Sequence, residues 1–385
     1  MNTNRFEFAT ANRIIFGPGA CAGVPALAAP LGRRALFVTD SLERSATLRE
    51  GLVAAGVMTI VFLVDHEPVV SDAILATRSL QNSDCDLVIG FGGGAALDTA
   101  KAAAALAPNP GDPLDYLEVV GQGQALQSPA LPCIAIPTTA GTGSEVTRNA
   151  VLAVPEKRVK VSLRSPYLLP RLAVVDPELT YSLPPEITAA TGMDALTQCL
   201  EPFVCNAPNP LTDALCREGM RRAACSLRRA YENGADKDAR YDMCVASLCG
   251  GLALANARLG AVHGLAGPIG GMFPAPHGAV CGRLLPGVVE MNVRTAQARG
   301  PRAALERYQE IAELLFPGQS SGVEKVISWL YELTEAIQIP RLGAYGIGAE
   351  AIPAIVAQAQ KASSMKGNPL SLSEAELSEI LENAL

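Results

Sequence analysis

Only three histidines occur in the chain of 385 residues. Two of them, His263 and His277, fall in one charge-free segment, Leu259 to Gly282. Upstream, Gly192-Met193-Asp194-Ala195-Leu196-Thr197-Gln198 sets Asp194 and Gln198 at i, i+4, on one face of a helix. A carboxylate, an amide and two imidazoles in apolar surroundings can hold one divalent cation of the Fe²⁺, Zn²⁺ or Mn²⁺ kind. His263 and His277 are also the candidates to polarise a substrate oxygen or relay its proton if no ion is present. Spacing alone does not bring Asp194 to His263, so two satisfied core histidines are the competing reading. The third, His66, sits in the polar turn Val64-Asp65-His66-Glu67-Pro68 and is expected to have no catalytic role.

Two loops suit a dinucleotide. Gly90-Phe91-Gly92-Gly93-Gly94 follows an apolar run ending at Ile89 and opens a helical stretch, Ala95-Ala96-Leu97-Asp98-Thr99-Ala100-Lys101. Gly92, Gly93 and Gly94 let backbone approach a pyrophosphate, and the helix N-terminus offers free N–H groups and partial positive charge. Asp98, one turn in, can cap those amides or hold a cofactor edge. The spacing is not Gly-x-Gly-x-x-Gly, so a plain tight turn competes. Pro137-Thr138-Thr139-Ala140-Gly141-Thr142-Gly143-Ser144-Glu145 likewise follows the run Cys133 to Ile136, and its hydroxyls suit phosphate and ribose contacts. Asp40, closing Val38-Thr39-Asp40, can accept from the adenosine ribose and would repel a 2′-phosphate, which favours NAD over NADP; a turn aspartate is the alternative. Lys160, in the extended stretch Arg158 to Leu163, suits a cofactor contact or a solvated surface equally.

These residues need a scaffold. Short β-branched runs at Ala35–Val38, Thr59–Val64, Leu87–Ile89, Cys133–Ile136 and Leu172–Val175 read as buried strands. Helical stretches at Ala46–Ala55, Asp72–Gln81 and Ala95–Ala107 alternate with them, which implies a parallel sheet with helices on both faces. Phe6 to Phe16 reads as an edge hairpin, and Pro108 to Pro132 as a surface excursion. Beyond Leu183-Pro184-Pro185 helical periodicity takes over: Glu186–Val204, Pro210–Tyr231, Tyr241–Leu259, Ala303–Leu315, Val323–Ala336, Ala349–Ala362 and Ser373–Asn383. The expectation is an α/β dinucleotide-binding domain over residues 1–182 and an all-helical metal and substrate domain over 183–385.

Composition narrows the classes. Hydrophobic residues make up 49%, charged ones 18% and aromatics 5%, which excludes disorder and coiled coil. A net charge of −7 argues against nucleic acid and anionic membrane surfaces as partners. Mean hydropathy is +0.22. Yet the charge-free segment carries seven glycines and three prolines, unlike an ordinary spanning helix. The ten cysteines include no Cys-x-x-Cys pair and read as buried, reduced thiols of a cytoplasmic protein. Arg217, Arg221, Arg222, Arg228 and Arg229 read as a solvated helix face.

Over nearly its full length the chain resembles the iron-containing, group III alcohol dehydrogenases, alongside glycerol dehydrogenase and dehydroquinate synthase-like proteins. The motifs that carry the resemblance are Gly92 to Lys101, Pro137 to Glu145, Asp176-Pro177-Glu178-Leu179, Gly192-Met193-Asp194-Ala195, Asn209-Pro210-Leu211-Thr212-Asp213, and His263 through His277-Gly278. It implies reversible NAD(P)-dependent hydride transfer between an alcohol and an aldehyde or ketone in an interdomain cleft, with a divalent metal as Lewis acid, in a homodimer. Carried over by residue, it implies cofactor contacts at Gly92, Gly93, Gly94, Asp98, Thr138, Thr139, Thr142 and Ser144, with Asp40 and Lys160 at the adenosine end. It implies metal ligands at Asp194, His263 and His277.

One departure stands out. The family has a His four residues after its metal-binding Asp; this chain has Gln198. A further family His, four residues after the first of the pair, is Gly267 here. An amide oxygen is a neutral, weaker ligand than imidazole. A weakly held, exchangeable Fe²⁺ or Zn²⁺ is therefore expected. The rivals are a metal-independent, maleylacetate reductase-like enzyme, a dehydroquinate synthase-like lyase and a non-enzymatic dinucleotide-binding protein.

Overall fold

The computed structural model describes residues 5–118, 120–318 and 322–385. Two compact units emerge: Thr10–Tyr181, and Ser182–Leu385 together with residues 5–9. The first residues thus leave the α/β unit to which they were expected to belong. The Ala9 amide donates to Asn256 Oδ1 at 2.6 Å and Asn256 Nδ2 donates back to the Ala9 carbonyl at 2.9 Å, so both backbone groups of Ala9 are satisfied inside the helical unit.

The α/β unit contains β1 (Ile14–Phe16), α1 (Val24–Ala28), β2 (Arg34–Thr39), α2 (Ala46–Ala54), β3 (Met58–Leu63), α3 (Val70–Asn82), β4 (Leu87–Gly92), α4 (Gly94–Leu106), β5 (Cys133–Pro137), β6 (Asn149–Val154), β7 (Val159–Arg164) and β8 (Leu172–Val175). Six strands form a parallel sheet in the order β1-β8-β5-β4-β2-β3. Period-two alternation explains its two covered faces. Phe37, Ile89 and Ile136 pack toward α1 and α2 with Val24, Leu48 and Leu52. Leu36, Val38 and Val88 point the other way, against Ala76 and Leu80 of α3 and Ala96, Ala100 and Ala103 of α4. The alanine run of α4 lets that helix lie close on the sheet.

The expected edge hairpin at Phe6 to Phe16 is absent among the described residues. Ile14–Phe16 instead adds to β8 as a parallel edge strand, with Ile15 opposite Val174. A short apolar run does not reveal its partner, and here the partner lies far along the chain. Among the described residues the one antiparallel pair is β6–β7, which places Lys160 opposite Ala153.

Sheet order matters for function. From β2 the chain moves outward to β3, then returns past β2 to β4, and from there β5, β8 and β1 continue in the opposite direction. The carboxyl ends of β2 and β4 therefore flank the point where strand order reverses, where open α/β sheets bind their ligands.

The helical unit contains α5 (Pro185–Val204), α6 (Pro210–Glu232), α7 (Lys237–Asn256), α8 (Ala261–Met272), α9 (His277–Arg299), α10 (Arg302–Leu315), α11 (Val323–Ala336), α12 (Ile352–Ala359) and α13 (Glu374–Ala384). Nearly all of α5 after its second turn is buried against α6, α7 and α9. Helices α8 and α9 lie outside the expected set. They form although Pro268 and Pro286 sit inside them, because tertiary packing offsets the lost hydrogen bonds. The arginines of α6 pair with carboxylates, among them Arg217 with Glu310 and Arg222 with Glu218 and Asp242. No single helix among the described residues is long and apolar enough to cross a membrane.

Candidate cofactor loops and metal centre

At the switch point of the sheet Asp40 and the two predicted cofactor loops meet. Asp40 leaves the end of β2, and its Oδ2 accepts the Gly93 amide at 3.1 Å. Its Oδ1 takes Arg44 Nη2 at 2.9 Å, and the same nitrogen donates to Thr138 Oγ1 at 3.0 Å. Gly92 has φ +156°, where a side chain would be strained. A Cβ on Gly94 would come within 2.8 Å of Thr142 Cγ2, so only glycine lets the two loops approach. At Gly93 a Cβ would meet Thr139 Cγ2 at 3.6 Å. Helix α4 begins here with no cap from the side chain of its N-cap residue, and Asp40 takes the amide of Gly93, the N-cap residue itself, at the positive end of the dipole. An uncapped helix start over glycine backbone fits the pyrophosphate of a dinucleotide.

Asp98 joins the loops from below. Its Oδ1 accepts Ser144 Oγ at 2.5 Å and its Oδ2 accepts the Val151 amide at 2.9 Å. Both oxygens are thus engaged by protein, and Asp98 holds Ser144 in place. Lys101 lies buried beneath, donating to the Ser144 carbonyl at 2.8 Å and Thr147 Oγ1 at 3.0 Å. Glu145 is 2% exposed, and its Oε2 has no hydrogen-bond partner. Burial pushes its carboxyl up to about 7, with Lys101 opposing. Lys160 is engaged by Glu67 at 2.9 Å on the β6–β7 hairpin. His66 pairs with Asp65 and Asp72.

The metal candidates converge in the helical unit. Asp194 and Gln198 stand one turn apart on α5, 2% and 3% exposed. His263 comes from the first turn of α8 and His277 from the start of α9. Gly278 permits this: a Cβ there would drive into the backbone of Ala190, so glycine lets α9 begin directly against α5. Asp194 Oδ1 lies 3.6 Å from His263 Nε2 and 3.9 Å from His277 Nε2. The imidazole centroids are 5.4 Å apart, tilted by 53°. Burial alone would raise the Asp194 carboxyl, yet the two histidines beside it and a hydrogen bond from Gln198 hold it below its ordinary value.

These residues fit a cation. Asp194 Oδ1 and Gln198 Oε1 are buried without hydrogen-bond partners, a costly arrangement that an ion at their side relieves. Ligands ~2.0–2.3 Å from a tetrahedral ion stand roughly 3.3–3.8 Å from one another, close to the separations seen here.

Two residues at this centre escaped the sequence reading. Glu201, one turn beyond Gln198, accepts the Val262 amide through Oε1 at 2.7 Å and meets His263 Nδ1 with Oε2 at 2.6 Å. It caps α8 and fixes which ring nitrogen faces Asp194. Burial opposes a charged imidazole, but Glu201 and Asp194 raise His263 to about 10. The spacing Asp194, Gln198, Glu201 on an otherwise apolar face was the available signal. The second is Cys281, one turn beyond His277, whose Sγ lies 3.6 Å from His277 Nε2. Donor atoms of Asp194, His263, His277 and Cys281 all fall within 4.8 Å of one another.

Comparison with known proteins supplies independent findings. The family described as iron-containing alcohol dehydrogenase matches residues 11–177, and the C-terminal part of the Fe-containing alcohol dehydrogenase family matches residues 188–385. The chain is 36% identical over 358 residues to alcohol dehydrogenase 4 of Saccharomyces cerevisiae (strain YJM789), covering 91% of both chains. The crystal structure of a 1,3-propanediol oxidoreductase superposes with a TM-score of 0.92 at 32% identity, covering 99% of this chain and 100% of that one. A sulfoacetaldehyde reductase from Bifidobacterium kashiwanohense, in complex with NAD+, superposes with a TM-score of 0.87 at 28% identity, covering 99% and 98%.

Proposed function

The chain belongs to the iron-containing alcohol dehydrogenase family, and from that premise we propose that it interconverts small primary alcohols and their aldehydes with NAD, using a divalent metal held by Asp194, His263 and His277. It is an oxidoreductase of the alcohol dehydrogenase kind. The observation that carries the site assignment is Asp194 Oδ1, buried, without a hydrogen-bond partner and facing two imidazoles.

When bound, the ion supplies Lewis acidity toward the substrate oxygen and the dinucleotide supplies the hydride-accepting ring. The protein's own residues do the rest. Glu201 holds His263 by Nδ1 and keeps Nε2 toward Asp194. Gly92, Gly93 and Gly94, with Thr138, Thr139 and Thr142, line the space for the pyrophosphate at the start of α4. Asp98 fixes Ser144, and Asp40 sits where an adenosine ribose would hydrogen-bond. NAD rather than NADP is supported by that carboxylate and by the relative that binds NAD+. Lys160 is the least supported contact, since Glu67 occupies it. A cytoplasmic homodimer belongs to the same reading; the ten cysteines, none in a disulfide and eight of them buried, suit a reducing compartment.

Gln198 is the one observation that favours a metal-independent reductase. Formation of NADH from short alcohols, measured before chelation, after it, and after re-addition of Fe²⁺ or Zn²⁺, separates the two. Activity lost to the chelator and regained with metal is expected. Undiminished turnover in metal-free protein would leave the metal assignment without support.

A further inference from the structure

We propose that Cys281 supplies a thiolate ligand to the metal, in place of the imidazole that Gln198 withholds, and that the centre is an oxygen–nitrogen–nitrogen–sulfur site suited to zinc. The inference rests on the metal reading of Asp194, His263 and His277 and adds a fourth donor to it.

Three observations carry it. The first is position. Cys281 follows His277 by four residues on α9, so both side chains leave one face of the helix, and the sulfur reaches 3.6 Å from His277 Nε2. One donor atom from each of Asp194, His263, His277 and Cys281 lies within 4.8 Å of the other three, so the widest pairs close by about 1 Å to reach the roughly 3.3–3.8 Å spacing of ligands on a tetrahedral ion. The second is enclosure. Cys281 is fully buried and Asp194 is 2% exposed, so the sulfur meets the other donors away from bulk water. The third is the residue at the position of the missing imidazole. Gln198 offers an amide oxygen one turn from Asp194, and that oxygen has no hydrogen-bond partner. A neutral amide oxygen is a poor competitor for a transition metal against a thiolate.

The donor chemistry then sets the metal. One carboxylate and one thiolate neutralise a divalent ion, whereas one carboxylate with three imidazoles leaves a positive charge in a buried space. On binding, the Cys281 thiol and the His263 Nε2–H each give a proton to solvent, and the freed sulfur and nitrogen lone pairs go to the ion, so charge and atoms balance. Sulfur with two imidazoles and a carboxylate in tetrahedral spacing selects zinc over iron among common divalent metals. The remaining free thiols include Cys199, Cys216 and Cys249, none of which belongs to a second group of close metal-ligating side chains among the described residues.

Cobalt is the probe, because a thiolate bound to Co²⁺ gives a sulfur-to-metal charge-transfer absorption that oxygen and nitrogen ligands do not. Full-length protein loaded with one equivalent of Co²⁺ is expected to show that band. Cys281→Ser is expected to lose it and to bind Zn²⁺ less tightly by at least about tenfold in chelator competition, the scale at which even outer-shell partners matter. Gln198→Ala is expected to keep the band. Stoichiometric cobalt without the band, or a band that survives Cys281→Ser, overturns the thiolate while leaving the metal centre in place. No cobalt binding, unaltered by Asp194→Asn, overturns the metal centre itself. The wild-type spectrum decides even if a variant folds poorly.

Discussion

Asp40 Oδ2 holds the Gly93 amide at 3.1 Å, a bond that joins the ends of two adjacent strands, β2 and β4, where the order of the sheet reverses. The same carboxylate keeps Arg44 at 2.9 Å through its other oxygen. Its negative charge is therefore shared between a backbone donor of the glycine loop and a guanidinium that also reaches Thr138 of the second loop.

Cofactor choice should follow from that pairing. Asp40→Ser removes the charge that opposes a 2′-phosphate and frees Arg44 to meet it, so the ratio of NADP to NAD efficiency should rise on the order of tenfold or more, about 1.4 kcal/mol or beyond. Arg44→Ala should shift the ratio the other way, by leaving Asp40 unneutralised. Steady-state kcat/KM with both cofactors measures the two effects. Movement of both variants in the same direction would dissociate Asp40 from the ribose.

Glycine spacing on α9 predicts opposite outcomes for two like substitutions. At Gly278 a Cβ would enter the backbone of Ala190, which has no side chain to swing aside. Gly278→Ala should cost about 1–3 kcal/mol and, by pushing His277 from Asp194, weaken metal binding as well. At Gly287 the new methyl would meet Ile380 Cγ2 at 3.7 Å and Tyr331 Oη at 3.8 Å, ordinary contacts. Gly287→Ala should stabilise by roughly 0.5–1 kcal/mol, since helical glycine loses more backbone entropy on folding. Thermal melts of the pair, with metal affinity for the first, test both.

How far these sites could be read in advance depended on where the signal resided. The loops after β4 and β5 were legible because glycine and threonine clusters follow short β-branched runs, a local pattern. Asp194 and Gln198 were legible because i, i+4 spacing is local too. The Asp194–His263 contact was not, since α5 and α8 meet only through packing. Helices α8 and α9 were hidden by Pro268, Pro286 and many glycines, residues that oppose a helix alone but allow close approach once neighbours hold it. Cys281 was hidden by its chemistry: a cysteine in an apolar helical stretch reads as core, and only the fold shows what stands beside it.

Glu145 should make the stability of the α/β unit depend on pH. Its folded carboxyl is raised to about 7 from an unfolded value near 4.5, chiefly by burial. Between those values the native state holds more protons than the unfolded chain, so stability falls as pH climbs through the window. Above pH 7 the full penalty applies, about 3 kcal/mol at 1.36 kcal/mol per unit. Glu145→Gln removes the titration while keeping the shape. Its melting temperature should exceed that of the wild type at pH 8 and approach it at pH 5. An equal difference at both values would mean that the carboxyl does not titrate in this range.

Gln198→His should tighten the metal centre. The position lies one helical turn from Asp194, is 3% exposed, and already carries a buried oxygen with no hydrogen-bond partner. An imidazole there would have His263, His277 and Asp194 as neighbours and would exchange a neutral carbonyl-type donor for a better one. Affinity for Fe²⁺, which prefers nitrogen to the weak amide, should rise by about tenfold or more. Zn²⁺ should gain less, because a sulfur ligand already serves it in the wild-type protein. The ratio of the two gains, read by competition against a chelator, therefore reports on Cys281 as well as on Gln198. Equal affinity for both metals before and after the substitution would mean that residue 198 does not face the ion.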